Sequence, residues 1–192
     1  MFPELTRDDV FRIETARLWL RWPRAADMRD FARLASDPEV AKGISCLQTP
    51  FGAREAEDFV LGARRVNLAG EGTVLALSPR NDPSAFIGSA GVQAKGDGRG
   101  LVLGYWLGRP DWGQGLMREA IEAIVDMAFM LSGAQDIEAR LTEQTPEAAG
   151  KVLAACGFPK AGADGRARIA RSEWLSARAD VAGRIALPKA AA

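Results

Sequence analysis

A glycine turn at Gly113-Gln114-Gly115 joins a strand-like run, residues 101–107, to a strongly helical segment. Such a turn constrains a fold because it places the free N–H groups of a first helical turn beside the end of a strand. Those N–H groups and the helix dipole favour an anion, and glycine lets a phosphate approach the backbone without an intervening Cβ. Two glycines by themselves fit a phosphate site and a turn without a ligand equally well.

The segment after the turn has the periodicity of an amphipathic helix of about 17 residues. Apolar residues recur at three- and four-residue spacing from Leu116 to Leu131, and charged residues fall mainly on the other side. Gly133 is the predicted C-cap of this helix, since glycine adopts the left-handed backbone that often ends helices.

The remaining segments predict a mixed α/β (α+β) domain whose strands are mostly antiparallel. Strands are expected over residues 13–22, 73–78, 85–93, 100–107 and 137–141, with a hairpin-like stretch over 166–170. Helices are expected over residues 25–35, 37–41, 53–68 and 146–156, and from Ser172 onward, where Trp174 and Leu175 would pack. Turn clusters join the three middle strands, which indicates a meander. The chain is most simply one domain, residues 1–192.

Composition excludes several classes of partner. Lysine plus arginine equals aspartate plus glutamate, so no global field attracts nucleic acid or an anionic membrane. No apolar run approaches the roughly 18 residues of a membrane-spanning helix, and the first residues lack a secretion-signal pattern. Two cysteines, Cys46 and Cys156, do not make a disulfide framework. We therefore expect a cytoplasmic protein.

The sequence contains no histidine. Ser-His-Asp and Cys-His catalysis in their usual forms are therefore excluded, as are zinc sites that contain histidine. No acidic spacing matches a calcium-binding loop, so no metal is expected. If the protein is an enzyme, its chemistry must depend mainly on orientation, a helix dipole and modest proton transfer.

Two other phosphate-binding folds fit the residues less well. A Rossmann fold requires a third glycine where this chain has Arg118, and it requires successive βαβ units in place of a meander. A P-loop requires a Gly-Lys-Ser/Thr sequence, which this chain lacks.

Four stretches carry a resemblance to a known family. They are residues 14–21 followed by Asp27, residues 86–91, residues 103–120 around the glycine turn, and residues 152–158, which end in Gly157-Phe158. Together they resemble the GNAT superfamily of acyl-CoA-dependent N-acyltransferases. The closest branch is the RimJ/RimL type, which modifies protein N-terminal amines, along with related small-molecule enzymes. The resemblance covers most of the chain and is most specific over residues 103–120.

The resemblance implies a GNAT-like mixed, mostly antiparallel twisted sheet, flanked by helices, whose central strands splay apart. It implies acetyl-CoA as co-substrate, with contacts from Tyr105, Trp106 and Leu107 to pantetheine and from Trp112, Gly113, Gln114, Gly115, Leu116 and Met117 to pyrophosphate. A primary amine would attack the thioester directly while a strand N–H polarises its carbonyl. A protein α-amine is the leading acceptor class, because a pKa of about 7.7–8.0 leaves a useful neutral fraction.

Catalytic residues do not transfer from the family. Its Asn-x-x-Ser positions fall on Pro146 and Ala149, its tyrosine acid on Leu153, and its Gln or Arg before the glycines on Pro110. The remaining candidates are Tyr105 as acid, Thr145 near a helix start and Glu138 as base, and their ordinary roles would be packing, helix capping and ion pairing. Cys156 is expected to be a buried structural cysteine, and the five tryptophans, Trp19, Trp22, Trp106, Trp112 and Trp174, to be packing residues. Acetylation of a small amine, or CoA binding with little catalysis, stays open as an alternative.

Overall fold

The computed structural model of the protein describes residues 2–44, 51–96, 98–142 and 145–184. Seven strands in these residues form one sheet in chain order, and all neighbours are antiparallel except the fifth and sixth, which are parallel. The predicted mixed, mostly antiparallel sheet is confirmed. The single-domain assignment of residues 1–192 stays a prediction, and Cys46 lies outside the described residues.

The element bounds follow the chain order. The strands are β1 (Arg12–Glu14), β2 (Leu18–Arg21), β3 (Gly72–Pro79), β4 (Gly88–Ala94), β5 (Gly100–Leu107), β6 (Asp136–Arg140) and β7 (Arg166–Ala170). The helices are α1 (Met28–Ala35), α2 (Pro38–Ala41), α3 (Ala53–Ala69), α4 (Leu116–Leu131), α5 (Glu147–Ala155) and α6 (Arg171–Arg184). Helix α4 is the crossover that parallel pairing of β5 and β6 requires.

Residues 13–22 form parts of two strands, where the sequence predicts one. The chain turns at Thr15, whose N–H donates to the Leu18 carbonyl at 3.0 Å and whose hydroxyl accepts from the Leu18 N–H at 3.0 Å. Strand β1 then pairs antiparallel with β2, with Glu14 opposite Trp19. A hydroxyl that closes a turn on nearby backbone interrupts a strand even where the apolar alternation continues.

The predicted glycine cap of α4 is wrong. The helix ends at Leu131, and Ser132 follows with an extended φ of −115°. The Ser132 hydroxyl donates to the Ala128 carbonyl at 2.7 Å, and Gly133 is not among the residues with a positive φ. The Ala128 carbonyl therefore accepts from both the N–H and the hydroxyl of Ser132, and the helix ends without a left-handed glycine.

The predicted threonine cap of α5 is also wrong. The Thr145 hydroxyl accepts from the Thr142 N–H at 2.9 Å, and Pro146 precedes the helix without a side-chain cap. At the other end, Gly157 has a φ of +85°, which confirms its predicted place after the helix.

Each face of the sheet carries an apolar core. The face covered by α4 (the α4 face) presents Leu20, Leu77 and Leu103 to Ile121 and Ile124, all buried. The opposite face (the α1/α3 face) presents Ala76, Phe86 and Trp106, which pack with Phe31, Phe51 and Phe59. Alternation along the strands sends neighbouring residues to opposite faces.

The tryptophans divide between packing and exposure. Trp22 and Trp106 are buried, and Trp174 is half-buried against Phe129 at 5.3 Å between ring centroids. Trp112 is 39% exposed, and Leu175, which the sequence predicts to pack, is 51% exposed. Trp19 is half-buried, with Arg12 and Arg80 at 4.8 and 5.5 Å from the centre of its ring. Packing in the apolar core therefore holds for Trp22, Trp106 and Trp174, and not for Leu175.

The β5 and β6 strands separate partway along their length. Their ladder runs from Gly100 opposite Asp136 to Leu103 opposite Ala139, while β5 continues to Leu107. This leaves an open edge over residues 104–107, which we call the β5–β6 gap. The predicted splay of the central strands is confirmed.

Candidate active site

The glycine turn has a backbone geometry that favours glycine. Gly113 and Gly115 have φ angles of +74° and +73°, in the left-handed region. A Cβ built on Gly113 would meet no atom within 4 Å, and one on Gly115 would meet only Arg17 Nη2, at 3.6 Å. Open space therefore lies over the turn just before α4 begins at Leu116.

The N–H groups from Gly113 to Arg118 form an unsatisfied row. No described residue accepts a hydrogen bond from any of them, and the first bond of α4 runs from the Glu119 N–H to the Gly115 carbonyl at 3.2 Å. Donors at a helix start, together with the helix dipole, suit an anion such as the pyrophosphate of CoA. The predicted Trp112 N–H is already engaged, since it donates to the Arg109 carbonyl at 3.2 Å.

Arg17 braces this turn from the β1–β2 connection. Its Nη1 donates to the Gln114 carbonyl at 2.8 Å, and its Nε donates to Glu119 Oε2 at 2.7 Å. Burial would raise the pKa of Glu119, but hydrogen bonds from Thr15 and Arg17 outweigh burial and lower it. This contact could not be predicted from the sequence, because no local signal connects residues that lie about a hundred positions apart.

The open edge of β5 is close to the turn. The Gly108 N–H donates to the Ile87 carbonyl at 2.8 Å. In an antiparallel pair, every second residue points its N–H and C=O groups at the partner strand, so the N–H and C=O of Trp106 also face β4. The backbone groups of Tyr105 and Leu107 then face the β5–β6 gap. The Leu107 carbonyl accepts from the Trp112 indole at 2.7 Å, which ties the end of the strand to the glycine turn.

Tyr105 lies on the α4 face of the sheet and its phenol is engaged. The hydroxyl donates to the Ala149 carbonyl of α5 at 3.0 Å. Burial, with a smaller contribution from Cys156, raises the pKa of the phenol well above its usual range. At neutral pH Tyr105 is therefore a protonated, hydrogen-bonded side chain.

Glu138 lies on the opposite face from Tyr105 and is surrounded by cations. Only 1% of its side chain is exposed, and Lys95 and Arg140 approach to 3.1 Å. Burial would raise the pKa of Glu138, but Lys95, Arg140 and Arg166 outweigh burial and lower it. A carboxylate held in its charged form by four ion pairs is a poor base, so the structure gives Glu138 the ion-paired role.

Thr145 is the last of the three catalytic candidates, and Cys156, which was expected to be a buried structural cysteine, is half-buried. The Thr145 hydroxyl lies 3.0 Å from the Thr142 hydroxyl, at the start of α5. Burial raises the pKa of the Cys156 thiol to about 12, which leaves little thiolate at neutral pH. Among the described residues no group of three or more His, Cys, Asp or Glu side chains could hold a metal ion.

Comparisons with known proteins show the family of this chain. A family model described as an acetyltransferase (GNAT) domain matches residues 17–159. The chain belongs to the GNAT acetyltransferase family. An uncharacterized N-acetyltransferase, p20 of Bacillus licheniformis, is 30% identical over 151 residues, which cover 77% of this chain and 82% of that protein.

Solved GNAT structures share the fold. RimL, a ribosomal L7/L12 alpha-N-protein acetyltransferase in complex with CoA, aligns with a TM-score of 0.69 at 15% identity, over 83% of this chain and 98% of that one. RimJ of Mycobacterium smegmatis in complex with CoA-disulfide aligns with a TM-score of 0.66 at 19% identity, over 87% and 90% of the two chains.

This GNAT chain is an acetyl-CoA-dependent N-acetyltransferase. Its acetyl donor is acetyl-CoA. In the part of the chain that the structure describes, no helix has the length and apolar character needed to span a membrane.

Proposed function

We propose that this enzyme transfers acetyl from acetyl-CoA to the α-amine of a protein N-terminus. The observation that carries the proposal is that the candidate acids and bases are already engaged. Glu138 is ion-paired, the Tyr105 phenol donates to Ala149, and the Thr145 hydroxyl bonds to the N–H and the hydroxyl of Thr142. An α-amine, with a pKa of about 7.7–8.0, is partly neutral without a base, whereas a lysine amine near 10.4 would need one.

The chain's own groups then have three tasks. The N–H groups from Gly113 to Met117 would hold the pyrophosphate, and the edge of β5 at Tyr105 and Leu107 would hold pantetheine. Acetyl-CoA supplies an activated thioester, and the amine attacks its carbonyl directly. A strand N–H that faces the β5–β6 gap would stabilise the charge that develops on the carbonyl oxygen, and water would take the proton.

The names of the structural relatives support this acceptor class. RimL is described as an alpha-N-protein acetyltransferase, and a ribosomal-protein-S5-alanine acetyltransferase from Vibrio fischeri aligns with a TM-score of 0.69 at 18% identity, over 85% of this chain and 98% of that one. Another relative of the same fold is a microcin C7 self-immunity acetyltransferase (TM-score 0.65, 13% identity, 81% and 93% covered). Proteins with this fold therefore serve more than one role.

An acceptor panel tests the proposal. We expect CoA release with peptides that have a free α-amine, and much slower release with the same peptides when the α-amine is blocked and an internal lysine is free. Faster turnover of polyamines, aminoglycosides or free amino acids would favour the small-molecule alternative. CoA binding by calorimetry without CoA release for any amine would favour a binding protein with little catalysis.

Replacing Tyr105 by phenylalanine tests the only phenol in the chain. We expect kcat to fall less than about tenfold, because a phenol with a raised pKa that already donates to Ala149 is a weak general acid. Loss of the hydrogen bond should cost about 1 kcal/mol of unfolding free energy. Steady-state kinetics and urea unfolding measure the two effects. A fall in kcat of about 10²–10⁴-fold with unchanged CoA affinity would instead identify Tyr105 as the acid.

A further inference from the structure

The two faces of the β5–β6 gap differ in access. On the α4 face, Tyr105 closes against Ala149 of α5, and the glycine turn lies at the same end of β5. On the α1/α3 face, Gly104 is exposed, and a Cβ built on it would meet no atom within 4 Å. If CoA occupies the glycine turn, an acceptor has open space to approach the gap from the Gly104 side.

A group of arginines lies beside that opening. The β5–β6 ladder ends at Leu103 opposite Ala139, so the next residues in register are Gly104 and Arg140. Arg140 lies on the same sheet face as Glu138, because Ile137 and Ala139 pack into the α4 face. Strand β7 adds Arg168 opposite Glu138 and Arg166 opposite Arg140.

The cations in this group outnumber the carboxylates that they contact. Lys95, Arg140, Arg166 and Arg168 lie within 4.0 Å of Glu138, and the other carboxylates in the group are Asp136, which pairs with Lys95, and Asp164, which pairs with Arg166. Four cations therefore meet three carboxylates. Glu138 is buried beneath them, so the charge that reaches solvent is mainly positive.

Two of the arginines keep much of their hydrogen-bonding capacity. Arg140 contacts Glu138 through Nε, and its side chain is 62% exposed. Arg168 approaches Glu138 only to 3.6 Å, and its side chain is 56% exposed. Among the described residues no acceptor bonds to the Nη groups of Arg140. A guanidinium that is exposed and has few partners in the protein can bind a carboxylate through two parallel hydrogen bonds.

We infer that the acceptor is an N-terminal segment with carboxylates just after its amino-terminal residue, and that Arg140 and Arg168 select it. This inference rests on the proposed function. An amine that enters at Gly104 places the following residues along the arginines of β6 and β7. Their positive charge attracts acidic side chains and repels basic ones, which gives specificity more than affinity.

The test uses two peptides with the same first residue and a free α-amine. One has aspartate or glutamate at positions two to four, and the other has asparagine or glutamine there. We expect a higher kcat/KM for the acidic peptide at low ionic strength. The difference should shrink toward 1 M salt, where the screening length falls to about 3 Å.

Single substitutions then show whether Arg140 and Arg168 cause the preference for the acidic peptide. Arg140→Gln and Arg168→Gln should each raise KM for the acidic peptide about fivefold, the upper range for an exposed charge pair, and leave kcat and CoA affinity unchanged. Arg140→Lys keeps the charge and should keep most of the preference. Arg65→Gln removes an exposed arginine on α3 and is the matched control.

The outcomes distinguish the preference for acidic acceptors from N-terminal acetylation itself. Equal kcat/KM for the two peptides, or an unchanged preference in both glutamine variants, would overturn the inference and leave N-terminal acetylation standing. Acetylation of free aspartate in preference to either peptide would overturn both. Failure of every peptide α-amine while other amines react would overturn the proposed function itself.

Discussion

Gly113→Val is expected to weaken CoA binding by about a hundredfold or more. Valine at a φ of +74° is strained by about 1–2 kcal/mol, and its side chain would fill the open space over the turn. A phosphate could then no longer reach the N–H groups from Gly113 to Met117, and hydrogen bonds to charged groups are each worth about 1.5–3 kcal/mol. Calorimetric titration with CoA measures the loss.

Gly133→Val is the matched control for this variant. Gly133 lies just beyond the other end of α4, has no positive φ, and would place a Cβ within 4 Å of no atom. CoA affinity should be unchanged there. If the Gly113→Val protein still melts cooperatively and binds CoA with wild-type affinity, the pyrophosphate does not bind at this turn.

Asp27→Asn is expected to lower the unfolding free energy by about 3–5 kcal/mol. Asp27 forms a two-bond ion pair with Arg21, at 2.7 and 2.8 Å, and the two side chains are 2% and 7% exposed. Removing one charge of a buried pair leaves the other without compensation. Urea denaturation followed by tryptophan fluorescence measures the change.

Asp30→Asn provides the comparison one helical turn away. Asp30 pairs with Arg33 at 2.9 Å, but these side chains are 39% and 61% exposed, so a change below about 1 kcal/mol is expected. Similar small losses in both variants would mean that the Arg21–Asp27 pair contributes little to stability.

Most elements could be predicted from the sequence because their signals are local. The apolar spacing from Leu116 to Leu131 predicted α4, and the turn clusters predicted the β3–β4–β5 meander. The errors fall where a hydroxyl bonds to nearby backbone. Thr15 breaks the first strand, and Ser132 ends α4 in place of a glycine. Such bonds depend on the backbone path and leave no trace in the periodicity.

The candidate site also has some features that local sequence predicts and others that depend on the folded chain. The left-handed glycines and the row of N–H groups follow from a strand, two glycines and a helix in succession. Local sequence therefore predicts the geometry of the turn, whereas the two glycines by themselves fit an anion site and a ligand-free turn equally well. The state of the titratable groups does not follow from local sequence. Glu138 meets Lys95, which follows β4, and three arginines from β6 and β7, and Tyr105 meets Ala149 from α5.

Local sequence therefore accounts for the backbone donors at which we propose that the phosphates of CoA bind, because a helix start carries its donors in its own backbone. Tertiary structure decides which side chains are free to act on the acceptor. Arg17 braces the turn through Glu119, and four cations hold Glu138 in its charged form, although most of these partners are distant in the chain. A pKa depends on the charges and burial that surround a group in space, so only the folded chain determines it.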